Sequence, residues 1–263
     1  MPFKSSKRVI YEKNPLVEVV CQLRFPRILT IDEKSPADFQ ERVREAYPIY
    51  NVVEQQLFAD ASIINAHRII RDDPVVDHIF ESADGKWQIN LTSTHLSLMT
   101  LEYTRWEEFQ ERLKEPLKAL EEIYRPAFYE YIGLRYVDAY MLSALDLESN
   151  TSWSDLIEPF VLGFISDDNI VDKVIGHTAT TEIILDEEAT ARIIATTGHI
   201  HNDVSGKYEP AFIIDCDFFY NTRKNRDDVD ESLNFLNAQV GNFIRSIVKV
   251  KLHNAMKPQE VDE

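Results

Sequence analysis

Glycine is scarce, at 7 in 263 residues, and no glycine-rich phosphate loop occurs. Folds that cradle a nucleotide on closely approaching backbone amides are therefore disfavoured, and no cofactor is expected. Cysteine is scarcer still: Cys21 and Cys216 are the only two, with no C-x-x-C. That excludes a disulfide framework. Both lie in apolar runs, where a free thiol behaves as a small buried hydrophobe. No run approaches the ~18 apolar residues of a membrane span. The start of the chain, Met1 to Arg8, is basic but no apolar stretch follows it, so no secretory signal is read there and a cytoplasmic location is expected. No Gly-x-Ser-x-Gly is present, and neither cysteine has the polar setting of a reactive thiol. Nucleophilic catalysis has no visible centre, which leans the reading away from an enzyme.

Basic residues are outnumbered, 28 against 45 acidic, for a net charge of −17. Such a chain repels phosphate backbones overall, so a nucleic-acid partner is disfavoured. Acidity also suits a partner with a basic face, an anionic mimic of DNA, or simple solubility. Against these shortages stand 44% hydrophobic residues, with 14 Phe, 11 Tyr and 3 Trp. That is ample for a real core and argues against disorder.

The periodicities predict an α+β protein with a mainly antiparallel sheet. Strand Leu16–Phe25 places Val17, Val19, Cys21 and Leu23 on one face and Glu18, Gln22 and Arg24 on the other. Ser35-Pro36 opens a helix whose apolar stripe is Phe39, Val43, Ala46 and Tyr47. A looser segment, Val52 to Asp73, follows. Strands are then expected over His78–Ser82, Trp87–Ser93 and His95–Tyr103, the first two joined through Ala83-Asp84-Gly85-Lys86. A long helix follows from about Arg105 to Tyr124, kinked at Pro116. The order then recurs. Strand Phe128–Leu142 leads to helix Ser154–Phe164, to strands Thr178–Leu185, Thr190–Thr196 and Ala211–Tyr220, and to a last helix from Asp227 to Val250. His199 to Pro210 reads as a polar loop.

Both halves thus read as β-α-β-β-β-α, a diverged duplication with long helices packed on the sheet. The first module spans residues 1–126 and the second 127–256, with residues 257–263 a frayed tail. No flexible joint separates the modules, so one integrated body is expected.

Three runs carry a resemblance. Tyr11 to Pro26 contains Asn14-Pro15-Leu16-Val17-Glu18-Val19; the middle run is Ile132-Gly133-Leu134-Arg135-Tyr136-Val137; the late run is Phe212-Ile213-Ile214-Asp215-Cys216-Asp217. In this order they resemble the Asn-Pro-Leu-x-Glu-Val, Gly-Leu-Arg-Tyr and Asp-x-Asp strand motifs of a sporadically distributed, uncharacterised prokaryotic family. Where its members often carry Ile-Asn after the central tyrosine, this chain has Val137-Asp138. The resemblance implies no activity. The family's patchy distribution is like that of defence-associated or toxin–antitoxin genes, which implies a protein partner encoded nearby.

Two side-chain groups are candidates for function. A sheet face bearing Glu18, Gln22, Arg24, Arg135 and Asp217 would form a partner or ligand surface, and Glu18 and Arg135 would pair across it if their strands are neighbours. His199 and His201, two residues apart, would share a strand face and with Asp215 could grip a metal; the plainer reading is exposed loop histidines and wet-face aspartates. The expectation is a non-enzymatic protein-binding component. Two alternatives stay open: a small-molecule sensor or enzyme with its site on the sheet face beneath the helices, and an acidic nucleic-acid mimic.

Overall fold

In the computed structural model, residues 1–55, 75–202 and 206–260 are described. The strands are β1 (Val9–Tyr11), β2 (Leu16–Arg24), β3 (Ile49–Gln55), β4 (Val75–Glu81), β5 (Trp87–Leu91), β6 (His95–Thr100), β7 (Tyr131–Met141), β8 (Thr178–Ile184), β9 (Ala189–Asn202), β10 (Lys207–Tyr220) and β11 (Pro258–Glu260). The helices are α1 (Leu29–Glu33), α2 (Ala37–Val43), α3 (Trp106–Ile123), α4 (Pro159–Leu162), α5 (Val229–Ile247) and α6 (Val250–Ala255). The α+β class and the antiparallel sheet are as expected. No described helix is long and apolar enough to cross a membrane.

One nine-stranded antiparallel sheet runs through both halves in the order β3-β4-β5-β6-β2-β7-β10-β9-β8. The first strand of each half, β2 and β7, meet at its centre. Outward from there, each half continues with its last strand and then works backwards: β6-β5-β4-β3 on one side, β10-β9-β8 on the other. The register places Val19, Cys21 and Leu23 beside Tyr136, Leu134 and Ile132, and these beside Cys216, Phe218 and Tyr220. All nine are buried. This is the face on which α3 and α5 lie. Trp87 of β5 meets Phe109 of α3 at 5.7 Å between ring centroids, and Phe218 of β10 meets Phe243 of α5 at 6.1 Å. Alternation drives the arrangement: each strand offers one apolar side, and each long helix one apolar stripe. The chain leaves α3 through Arg125 in the left-handed region (φ 52°), which ends the helix and turns it into β7.

Several local expectations are corrected. Val17 is exposed, because a β-bulge between Leu16 and Glu18 takes it off the buried face. Ser35 makes no capping bond to α2, and Ala46 lies exposed beyond its end. The start of the loose segment is strand β3; residues 56–74 lie outside the described residues. The helix expected over Ser154–Phe164 is a string of single turns, interrupted at Gly163, whose φ of 52° no helix contains. The supposed loop from His199 continues β9 and β10 as a ribbon, with residues 203–205 outside the described residues. Its polar sequence misled because residues 199–201 and 207–210 are exposed or half-buried on both faces of the ribbon. The tail expected to fray contributes β11, paired with β1 from Val9↔Glu260 to Tyr11↔Pro258.

Candidate functional site

The face turned away from α3 and α5 gathers the five surface residues named from the sequence. Register puts Gln22 beside Gly133, Arg24 beside Tyr131, and Asp217 beside Arg135. Arg135 donates to Glu18 Oε1 at 2.8 Å, and its Nε and Nη2 donate to the two carboxylate oxygens of Asp215, each at 2.8 Å. The hydrogen bonds to Asp215 are the main reason the guanidinium holds its proton more firmly than usual. Tyr131 donates to Asp217 Oδ1 at 2.9 Å, stacks on Phe219 at 5.3 Å, and has the Arg24 guanidinium 5.0 Å over its ring. Burial, partly offset by the Tyr131 hydroxyl, raises the Asp217 carboxyl. The ring of Tyr131 lies across Gly133, where an added Cβ would stand 2.4 Å from it. Arg135 is thus paired with Glu18 and Asp215, while Asp217 and Arg24 are both engaged by Tyr131, which braces this sheet surface.

The metal grouping is corrected. His199 pairs with Pro210 and His201 with Tyr208, whereas Asp215 pairs with Ile194. Strand alternation therefore puts both histidines on the opposite side of the sheet from Asp215. Among the described residues, no three His, Cys, Asp or Glu side chains are grouped to hold a metal.

A cavity of about 410 Å³ lies on the helix-covered face. Its floor is β7, through Tyr136, Asp138 and Tyr140. One wall is the start of α3 with Tyr103 before it, and the other is α5 from Asn237 to Arg245. The N-terminal segment roofs it. Phe3 packs on Phe243 at 5.2 Å, Ser6 donates from its backbone N–H to Asn242 Oδ1 at 3.0 Å, and Arg8 forms a two-pronged ion pair with Glu107 of α3. The segment then enters β1.

Most polar groups around this cavity are satisfied. The Tyr136 hydroxyl donates to Asn237 Oδ1 at 3.0 Å, and Arg245 Nη1 donates to the Tyr11 hydroxyl at 3.0 Å and to His253 Nδ1 at 2.7 Å. Burial and then the Arg245 charge lower the His253 imidazole below its ordinary value. Two groups on the floor differ. Asp138 is 3% exposed and its Oδ2 has no hydrogen-bond partner. The fully buried Tyr140 hydroxyl, two residues along the same strand face, has none either. Burial alone lifts the Asp138 carboxyl from 3.8 to about 7. The carboxylate is held on the central strand, opposite Leu16 of β2 and Ile214 of β10, where the bulge in β2 begins. Bulges are enriched beside functional sites because they re-aim neighbouring side chains.

Asp138 was noted in the sequence only as a departure from the Ile-Asn of the resembled family, not as a site residue. Its signal was there: Ile132, Leu134, Tyr136, Asp138 and Tyr140 share one strand parity, and a carboxylate in that inward series breaks the apolar pattern. Comparison with protein-family models and with curated proteins finds no match for the chain.

Proposed function

We propose that the chain is a small-molecule-binding protein whose site is the cavity between α3, α5 and β7. The observation that carries this is the cavity floor, where Asp138, buried and with one carboxylate oxygen lacking a hydrogen-bond partner, lines a ligand-sized space. Buried polar groups are otherwise hydrogen-bonded as a rule, and an orphan of this kind calls for a partner. The volume falls within the ~300–1,000 Å³ of small-ligand sites, and its lining mixes aromatic and aliphatic side chains with polar ones. The halves are read as two copies of one module, supported by their shared strand order outward from β2 and β7. The cavity then belongs to the seam of the duplication, drawing on the N-terminal segment, α3, β7 and α5.

The test uses Gly241, on the cavity wall in α5, where an added Cβ would meet nothing within 4 Å. Gly241→Phe should fill the space without backbone strain. Native mass spectrometry and thermal-shift screening should find a retained or added ligand on the wild type and none on the variant. Equal binding by both, or no ligand on the wild type across a broad metabolite screen, refutes the reading.

A second reading, a protein partner encoded nearby, is favoured by a different surface. Phe160 and Phe164 are 72% and 74% exposed, and Ile175 and Ile184 are exposed as well. Phe160 and Phe164 are four residues apart in the chain, and exposed large apolar side chains are a common mark of interaction sites. Co-expression with the neighbouring gene product should give a complex that Phe160→Ser with Phe164→Ser abolishes; an unaffected complex would place the interface elsewhere.

A further inference from the structure

Resting on the cavity reading, we propose that the ligand is an organic cation, an amine whose ammonium group seats against Asp138 while its apolar part lies between Tyr103, Trp106 and α5.

The chemistry of the floor leads there. An unpaired buried carboxylate is costly, and the partner that best reverses the cost is a cation brought in with hydrogen-bond donors. The protein does not supply one. Arg245, the nearby cation on α5, is turned to Tyr11 and His253, and Arg8 is engaged by Glu107. Burial is the sole cause of the perturbation at Asp138, with no contribution from a neighbouring positive charge. The Tyr140 hydroxyl, also unpartnered, is a second polar group on the same strand face, two residues further along. The surrounding walls are aromatic: Tyr103 and Tyr136 meet edge to face at 5.7 Å, and Trp106 stacks on Phe109 at 5.8 Å. Ring faces stabilise an ammonium group further by cation–π attraction.

Other titrating groups do not obscure the pH signature. Tyr136 and Tyr140 on β7, Cys216 on β10 and Tyr11 on β1 are all pushed upward by burial, above the range of interest. His253, reached through Arg245, is shifted downward. Lys7, Arg8, Arg105 and Arg245 are the basic side chains around the cavity. Between pH 6 and 8, Asp138 is thus the floor group whose charge changes.

The experiment measures binding of three matched probes by calorimetry: phenethylamine, the neutral 2-phenylethanol and the anionic 3-phenylpropionate. The amine should bind at least about tenfold more tightly than either, with affinity rising with pH towards 7 and levelling above it. Asp138→Asn should remove at least about tenfold of the amine's affinity and flatten the pH profile. Tyr140→Phe, which keeps the packing, should weaken it by a smaller factor. Amine binding that survives Asp138→Asn, or that fails to exceed the alcohol and the acid, overturns the cation assignment. So does no amine binding at millimolar concentration. The cavity reading is judged separately by Gly241→Phe and the retained-ligand mass: a neutral or anionic probe that binds the wild type and is lost in Gly241→Phe would leave it standing while the cation assignment falls.

Discussion

Replacing Asp138 with asparagine should make the unliganded protein more stable at neutral and alkaline pH. The reason is linkage between folding and proton binding. In the unfolded chain the carboxyl ionises near 3.8, whereas in the fold burial lifts it to about 7. Between those values the folded state holds a proton that the unfolded state has released. Stability is therefore greatest below the lower value and falls as pH rises, until the folded group also ionises near 7. At ~1.4 kcal/mol for each pH unit of that interval, the full loss is about 4 kcal/mol. Asparagine carries no such dependence. Its buried amide has its own pH-independent cost of about 1–3 kcal/mol for unpaired donors. The diagnostic quantity is thus the slope. Urea denaturation between pH 5 and 8.5 should show the stability difference, Asp138→Asn minus wild type, growing by ~1.4 kcal/mol per unit up to about pH 7 and levelling beyond. At pH 8 the variant should melt several degrees higher, since about 1 kcal/mol moves Tm by ~2–4 °C in a chain of this size. A difference that stays flat across pH would show that Asp138 ionises freely in the fold. The case for a destabilised, ligand-ready carboxylate would then fail.

Other outcomes follow from the rest of the structure. Gly133→Ala should cost about 1–3 kcal/mol by driving the Tyr131 ring off its seat, and far less in a Tyr131→Ala background; equal costs in both would mean that the ring does not occupy that space. Arg135→Ala should cost no more than about 1 kcal/mol, because Arg135 is 44% exposed in its bridges to Glu18 and Asp215, and the cost should shrink in high salt. A larger, salt-insensitive loss would point to a structural role that the exposure does not suggest. Cys21 and Cys216 should resist thiol reagents in the native protein and react together on unfolding, since burial pushes both thiols well above their ordinary value. Rapid native modification of either would contradict their burial.

The local patterns carried the fold class a long way. Strict alternation in Leu16–Arg24 and Tyr131–Met141, turn chemistry at Asp84-Gly85, and helical spacing in α3 and α5 are properties of neighbouring residues, and each element formed where its own period indicated. Pattern failed where neighbours do not decide. The outer part of the β9–β10 ribbon, residues 199–202 and 207–210, has too little apolar sequence to announce a strand, and backbone pairing makes it one. The single turns of 153–173 show that a proline and a left-handed glycine outweigh a rough apolar stripe. Val17 satisfied the alternation, yet the bulge turned it outward.

The candidate surface was legible for the same reason that strands are: period two puts Glu18, Gln22 and Arg24 on one side, and Arg135 and Asp217 joined them once β2, β7 and β10 proved to be neighbours. The cavity was not, because it is a relation among segments far apart in the chain. Composition, charge and periodicity were enough to establish an α+β chain with antiparallel strands, buried thiols and amphipathic helices, since those depend on short-range sterics and the partition of side chains between water and core. Only the packed structure could decide that Asp138 lies under two helices and a strap with one oxygen unmatched. Desolvation depends on what surrounds a group in space, and the segments gathered around the cavity over Asp138 run from Ser5 to Met256.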